Sequence, residues 1–197
     1  MEPKVIIPLG ISGSGKGTQA KLLCDKLGLS HVAMGDLLRS RKEKTDFSGA
    51  KVGHTIDAGR FVPSVLIMKI LMDVFEQLKH QENFRGFVLD GAPRKVPQAQ
   101  FLDEAFEWYE WGKGVQVLLI DISEEEAMAR LTKRRELETR ADDAPDAIRS
   151  RMAEYKEYVV PVIDYYEKQG RLIRINGEQS IEDVHKDIME VVGNDNH

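Results

Sequence analysis

The sequence is short of cysteine, of long apolar runs and of positive charge. Cys24 is the only cysteine among 197 residues, which excludes an internal disulfide and any zinc site built from several cysteines. Lys and Arg total 28 against 33 Asp and Glu, giving a net charge of −5. That balance argues against a protein whose main partner is nucleic acid or an anionic membrane surface. It leaves room for a local basic pocket that binds a small anion.

The apolar runs are too short for a membrane span. One of the longest, residues 115–122, is interrupted by Gln116 and Asp121, whereas a spanning helix needs about twenty apolar residues. Residues 1–4 lack the apolar segment of a secretory signal. We therefore expect a soluble, cytoplasmic protein with neither nucleic acid nor membrane as a partner.

Short apolar runs alternate with longer stretches that have helical spacing. Bare apolar runs are typical of strands covered on both faces, and here they occupy residues 5–9, 29–33, 87–89, 115–120 and 172–175. Apolar residues three and four apart, together with capping residues, predict helices over 18–27, 63–78, 123–134, 144–169 and 180–192. Pro161 is expected to kink or break the fourth of these helices. The pattern predicts one α/β domain with a five-stranded parallel sheet flanked by helices.

The segment between the first run and the first helix carries the pattern of a phosphate-binding P-loop. Gly13 and Gly15 permit backbone conformations in which successive N–H groups surround a phosphate. Lys16 brings a full positive charge to the β- and γ-phosphates, and Thr18 offers a hydroxyl to Mg²⁺. Because Gly17 separates the lysine from the threonine, the match is to a subtype of the motif. The alternative is a glycine-rich turn that binds no ligand.

An apolar strand that ends in Asp90 resembles the second element of a nucleotide site. A carboxylate at the end of such a strand holds Mg²⁺, usually through water. The alternative is an aspartate that caps the next turn. Trp108 and Trp111 are expected to be packing residues rather than a pair that stacks on a base.

Five ordered motifs together resemble the nucleoside monophosphate kinases, with the adenylate kinases as the nearest members. They lie at residues 10–19, 34–39, 57–59, 90–94 with 97–99, and 140–143, and the resemblance runs from about residue 4 to 192. It implies a core of residues 1–32, 63–133 and 145–197, a nucleoside monophosphate (NMP)-binding arm over 33–62 and a short LID over 134–144. The implied activity is reversible, Mg²⁺-dependent phosphoryl transfer from ATP to AMP, giving two ADP, by a chain that acts as a monomer.

The resemblance also implies roles for individual residues. The residues implied for ATP are Gly13, Ser14, Gly15, Lys16, Gly17, Thr18, Arg130, Arg134 and Gly177. Those implied for AMP are Met34, Arg39, Arg60, Phe61, Val62, Gly91, Ala92, Pro93, Arg94, Gln98, Arg140 and Arg151. The catalytic cations are Lys16, Arg94, Arg134, Arg140 and Arg151. Asp90 and Thr18 are implied for Mg²⁺, and Asp142 and Asp143 for holding the LID arginines.

The sequence departs from the family pattern at four positions. Ser12 replaces the usual proline of the P-loop, Met34 a threonine, Ala92 an aromatic residue and Lys95 a small polar residue. The changes at positions 34 and 92 remove a hydroxyl and open space near the acceptor nucleotide. They keep a UMP/CMP kinase open as an alternative, although Gln98 favours adenine because its amide offers both a donor and an acceptor.

Two hypotheses from other functional classes remain open for this sequence. One is a P-loop switch protein that binds GTP, but it requires an Asn-Lys-x-Asp motif, which the sequence lacks. The other is a nucleotide-binding protein without transfer activity. The presence of Lys16, Asp90 and the arginines named above argues against it.

Overall fold

The structure is a computed structural model that describes residues 3–137 and 145–193. Its five strands form one parallel sheet in the order β2-β3-β1-β4-β5. They are β1 (Lys4–Leu9), β2 (Ser30–Ala33), β3 (Gly86–Asp90), β4 (Val115–Asp121) and β5 (Leu172–Asn176). Each predicted apolar run coincides with one strand, so the predicted parallel sheet is confirmed.

Helices connect the strands and cover both faces of the sheet. They are α1 (Lys16–Leu27), α2 (Met34–Lys42), α3 (Phe47–Asp57), α4 (Ser64–Lys79), α5 (Val96–Trp108), α6 (Glu124–Leu137), α7 (Pro145–Glu154), α8 (Val160–Lys168) and α9 (Ile181–Gly193). The sequence patterns did not predict α5. The arm predicted over residues 33–62 contains α2 and α3. No helix in the described part of the chain is long and apolar enough to cross a bilayer.

Successive residues of each strand enter two different cores. In β1, Val5 and Ile7 belong to the core that α4, α5 and α8 cover, whereas Ile6 belongs to the core under α1 and α9. β4 repeats this alternation, with Val117 on the first face and Leu118 on the second. Because both faces are buried, the strands need apolar residues at every position, and this explains the bare apolar runs in the sequence.

The predicted long helix over 144–169 is interrupted as Pro161 required. A π-helical turn, Tyr155–Val159, separates α7 from α8. The N–H of Val160 donates to the carbonyl of Tyr155, five residues back. Proline has no N–H to donate, and the wider turn just before Pro161 is where the helix accommodates that loss.

The two tryptophans have different surroundings. Trp111 is buried against Phe75 and Phe87, with ring centroids 5.5 and 5.3 Å away. Trp108 is 79% exposed at the end of α5, so the expectation that it packs in the core is wrong. It follows the buried Phe106 by two residues, and two residues on a helix place side chains on nearly opposite faces.

All five strands run in one direction, so their carboxyl ends share one edge of the sheet. β1 lies between β3 and β4, and the chain turns to one side of β1 before crossing to the other. The crevice beyond the carboxyl end of such a central strand is the usual ligand site of an open α/β sheet. Here Leu9, Asp90 and Ala33 are the final residues of β1, β3 and β2 and therefore open onto this crevice.

Candidate active site

The loop between β1 and α1 is closely packed and requires glycine. Gly10, Gly13 and Gly15 have φ values of 144°, 91° and 93°, a region that favours glycine. A Cβ on Gly10 would lie 2.5 Å from the Ile120 carbonyl oxygen, and one on Gly13 would lie 2.9 Å from that of Ala127. The loop therefore packs against β4 and α6 only if positions 10 and 13 carry no side chain. The backbone N–H groups of the loop come just before the N-terminus of α1 in the chain.

Lys16 is folded back onto this loop. Its Nζ donates to the carbonyl oxygens of Gly10 and Ile11, at 2.8 and 2.7 Å, and to Ser14 Oγ at 3.3 Å. Burial away from water lowers the pKa of Lys16 from 10.5 to about 7, because the ammonium loses its hydration. An anion placed in the loop would favour the charged form.

Three arginines that are far apart in the sequence lie close enough to Lys16 to repel its charged form. Arg94, Arg151 and Arg134 each lower the pKa of Lys16 further by charge repulsion, whereas Asp90 raises it. Arg94 follows β3, Arg134 lies on α6 and Arg151 lies on α7. The fold thus gathers four of the five predicted catalytic cations at one place. Arg140, with Asp142 and Asp143, lies outside the described residues.

Asp90 ends β3 beside the first turn of α1. Its Oδ2 lies 3.3 Å from the position that a Cβ on Gly17 would occupy, and 4.0 Å from His31 Nε2 on β2. Thr18, one residue along α1, is exposed. One carboxylate and one hydroxyl fit Mg²⁺, because this ion keeps several waters and takes its remaining ligands from phosphates.

The residues predicted for the ATP base lie around the start of α6. Arg130 Nη2 donates to the Gly177 carbonyl oxygen at 2.9 Å, and Arg130 Nε donates to Glu126 at 2.6 Å. The Ser123 hydroxyl caps α6 by accepting the Glu126 N–H. Glu126 does not complete a reciprocal capping box, since Glu178 accepts the Ser123 N–H, at 2.7 Å. The loop after β5 is thereby joined to α6.

A cavity of about 520 Å³ lies between the arm and the core. Its lining includes nine of the residues predicted for the acceptor nucleotide: Met34, Arg39, Arg60, Phe61, Val62, Gly91, Arg94, Gln98 and Arg151. Ala92 and Pro93 line a smaller adjoining cavity of about 30 Å³ instead, together with Lys16, Arg94 and Arg151. The small cavity connects the P-loop to the larger one.

The predicted site residues omit three charged residues of the large cavity, Asp36, Lys42 and Asp57. Lys42 Nζ contacts both carboxylate oxygens of Asp57, at 2.9 and 2.7 Å, and so joins α2 to α3. Lys42 lies three residues after Arg39, on the same face of α2, and that spacing was a usable signal. Arg39 itself pairs with Asp36 one turn back.

Phe61 lies near Ala92, where the replacement of an aromatic residue by alanine was expected to leave open space. The Phe61 ring lines the small cavity together with Ala92, which is 2% exposed. The Arg94 guanidinium lies over that ring, 4.9 Å from its centroid. The aromatic side chain that lines both cavities thus comes from position 61 rather than from position 92.

Parallel strands, a glycine loop closed around Lys16 and a crevice rich in arginine define a P-loop nucleotide-binding protein. The family model described as adenylate kinase matches residues 8–171. The chain belongs to the adenylate kinase family.

Individual relatives agree over nearly the full length. An adenylate kinase of Bacteroides fragilis is 36% identical over 189 residues, which cover 95% of this chain and 97% of the relative. Adenylate kinase 1 of Nostoc sp. is 37% identical over 188 residues, with 95% and 98% covered. An adenylate kinase of Chlamydia muridarum is 32% identical over an alignment of 228 residues, with 99% and 89% covered.

Proposed function

We propose that this chain catalyses reversible transfer of the γ-phosphoryl group of ATP to AMP, giving two ADP. Membership of the adenylate kinase family supports this function. The convergence of Lys16, Arg94 and Arg151 on the small cavity, with Arg134 close enough to repel the charged form of Lys16, is the structural observation that carries it.

The reaction needs no protein nucleophile. An oxygen of the AMP phosphate forms a new bond to the γ-phosphorus while the bond to the β,γ-bridging oxygen breaks, so ADP leaves with that electron pair. The obstacles are repulsion between two polyanions and charge on the equatorial oxygens. Fixed cations oppose both, and arginine suits the task because its planar fork bonds two oxygens and stays charged.

The two nucleotides are assigned to opposite sides of Lys16. The P-loop residues hold the ATP phosphates, while Arg130 and Gly177 contact the ATP base and Arg134 its phosphates. The large cavity holds AMP, with Arg39 and Arg94 on its phosphate and Gln98 on its base. Closure of the arm over 33–62 and of the LID over 134–144, with Arg140, excludes water so that transfer outcompetes hydrolysis.

Mg²⁺ is the proposed cofactor: Asp90, through water, and Thr18 would hold it, and it would neutralise phosphate charge when bound. We expect chelation of the metal to abolish transfer while leaving the fold intact. We further propose that the chain acts as a monomer in the cytoplasm, where ATP and AMP are abundant, and sedimentation at micromolar concentration tests the monomer.

A coupled assay with ATP and five acceptors tests the function. We expect AMP to be the best substrate among AMP, dAMP, CMP, UMP and GMP, and EDTA to stop the reaction. A clear preference for CMP or UMP would replace the adenylate assignment with a UMP/CMP kinase. Nucleotide binding without transfer to any acceptor would leave only a binding protein.

A further inference from the structure

Gln98, the residue proposed to read the acceptor base, is held at both ends of its amide. It is 2% exposed and lines the large cavity. The backbone N–H of Arg94 donates to Gln98 Oε1 at 2.7 Å, and Gln98 Nε2 donates to Ser64 Oγ at 3.2 Å. Ser64 begins α4, 34 residues before Gln98 in the sequence.

The contact with Arg94 fixes which end of the amide is oxygen. A backbone N–H only donates, so the atom that faces Arg94 must be the carbonyl oxygen, and the amide nitrogen must face Ser64. Turning the amide over would bring its N–H₂ against the Arg94 N–H, two donors without an acceptor. Each end keeps further bonding capacity, because the oxygen accepts a second bond and the nitrogen carries a second hydrogen.

We propose that Ser64 is a positioning residue for acceptor selection, because its hydroxyl holds the nitrogen end of the Gln98 amide, which the Arg94 N–H orients to read an amine beside an unprotonated ring nitrogen. This inference rests on the proposed function. Adenine presents this edge, with its amine donating to Oε1 and its ring nitrogen accepting from Nε2, and cytosine presents the same edge. Hypoxanthine and uracil present a carbonyl beside an N–H, the reverse order, and cannot pair with the amide as it is held.

The position of Ser64 suits this task. It lies in the first turn of α4, directly after Pro63. The Leu66 N–H donates to the Pro63 carbonyl oxygen and completes this turn. The following turns are anchored in the core by Ile67 and Leu71. The hydroxyl is therefore presented from a fixed backbone, and the amide plane of Gln98 is fixed between α4 and the start of α5.

The test compares AMP with IMP, which has the reversed edge on a purine of equal size. Ser64→Ala removes the acceptor of Gln98 Nε2, so the amide is held at its oxygen end only and the KM for AMP should rise roughly fivefold with little change in kcat. IMP gains nothing from the held amide, so its kcat/KM should be unchanged and the AMP-to-IMP selectivity should fall about fivefold. Ser64→Thr keeps a hydroxyl and should restore selectivity. CMP should behave as AMP does, and UMP as IMP does.

Ser30→Ala is the matched control, because Ser30 Oγ also bonds a glutamine, Gln81, at 3.3 Å, but away from the cavity. It should leave selectivity unchanged. Equal losses for AMP and IMP in Ser64→Ala, or no change for either, would overturn the inference.

Calorimetric binding of AMP and of IMP to the native chain and to Ser64→Ala separates this inference from the proposed function. A preference for AMP that Ser64→Ala weakens would support the inference even in a chain that transfers no phosphoryl group. Equal binding of both nucleotides by the native chain, or binding of neither, would overturn it whatever the transfer assay shows.

Discussion

The guanidinium of Arg94 lies over the ring of Phe61, 4.9 Å from its centroid. Arg94 comes from the core after β3 and Phe61 from the end of the predicted arm, so the contact joins the two parts that enclose the large cavity. An aromatic face attracts a cation and limits the orientations of the planar guanidinium. The ring therefore helps to aim the side chain that is proposed to contact the AMP phosphate.

Replacing Phe61 with leucine tests this contact. A cation–π contact is worth about 0.5–2 kcal/mol, so Phe61→Leu should lower kcat/KM for AMP by about 2- to 30-fold. Phe61→Tyr keeps the ring and should stay close to the native value. Steady-state kinetics with varied AMP provide the measurement, and equal rates for the leucine and tyrosine variants would contradict the role.

Removing the Arg94 guanidinium should have a much larger effect. If Arg94 stabilises charge in the transition state, Arg94→Ala should reduce kcat/KM by about 10³-fold or more, which corresponds to about 4 kcal/mol. Thermal unfolding of the variant controls for loss of the fold. A loss below tenfold in a folded variant would show that Arg94 is not part of the transition-state site.

Lys16 should take up a proton when ATP binds. With a pKa of about 7 in the free chain, Lys16 is about nine-tenths neutral at pH 8. ATP phosphates favour the ammonium and raise this pKa, so binding at pH 8 should consume close to one proton. Titration calorimetry in buffers of different ionisation enthalpy measures the uptake. Lys16→Arg, which is charged in both states, should show none, and a native value near zero would contradict the prediction.

Glu154 should limit stability at neutral pH. Its carboxylate accepts the Phe61 N–H, and burial raises the pKa of Glu154 despite the nearby cations Lys95 and Arg94. Because the pKa of Glu154 is higher in the folded chain than in the unfolded chain, the charged carboxylate destabilises the fold fully above the folded-state pKa. This destabilisation disappears below the pKa of the unfolded chain. Glu154→Gln keeps an acceptor for Phe61 and should raise Tm by about 2 °C at pH 8.

That gain should vanish toward pH 4, where the native carboxyl is protonated as well. Glu104→Gln, at an exposed position on α5, is the control and should change Tm little at either pH. A Tm for Glu154→Gln that is lower than native at pH 8, or a gain that does not depend on pH, would contradict the assignment.

Gly177 should affect the ATP side alone. A Cβ there would lie 2.7 Å from Ile122 Cγ2 and 3.0 Å from the Asp121 carbonyl oxygen. Gly177→Ala should therefore displace the carbonyl that Arg130 holds, and raise the KM for ATP roughly fivefold with the KM for AMP unchanged. Gly193→Ala, where a Cβ meets nothing within 4 Å, is the control. Equal rises in both KM values would contradict this separation.

The strands were predictable because the sheet is covered on both faces, so the central strands consist mainly of apolar residues. α5 was harder to predict, since Pro97 lies in its first turn and no side-chain cap marks its start. The burial of Trp111 and the exposure of Trp108 depend on where that helix ends, and the local pattern does not specify it.

The local sequence identified the P-loop because its chemistry is contiguous. The grouping of Arg94, Arg134 and Arg151 around Lys16 came from the family resemblance alone, since these residues lie on three separate elements. The contact between Gln98 and Ser64 left no sequence signal, because hydrogen bonds between distant residues follow no periodicity. The roles of these arginines, of Gln98 and of Ser64 in binding and catalysis stay predictions.

The π-helical turn Tyr155–Val159 joins the helix that carries Arg151 to α8. Arg151, Tyr155 and Val159, each four apart, all line the small cavity next to Lys16. A π turn accommodates one residue more than an α turn, so excising one residue there would close it into an ordinary helical turn. Pro161 would then lie inside a regular α-helix, where it lacks an N–H and its ring meets the carbonyl four residues back. A single-codon deletion in this turn would thus weaken the scaffold of Arg151 without removing any cation from the cleft.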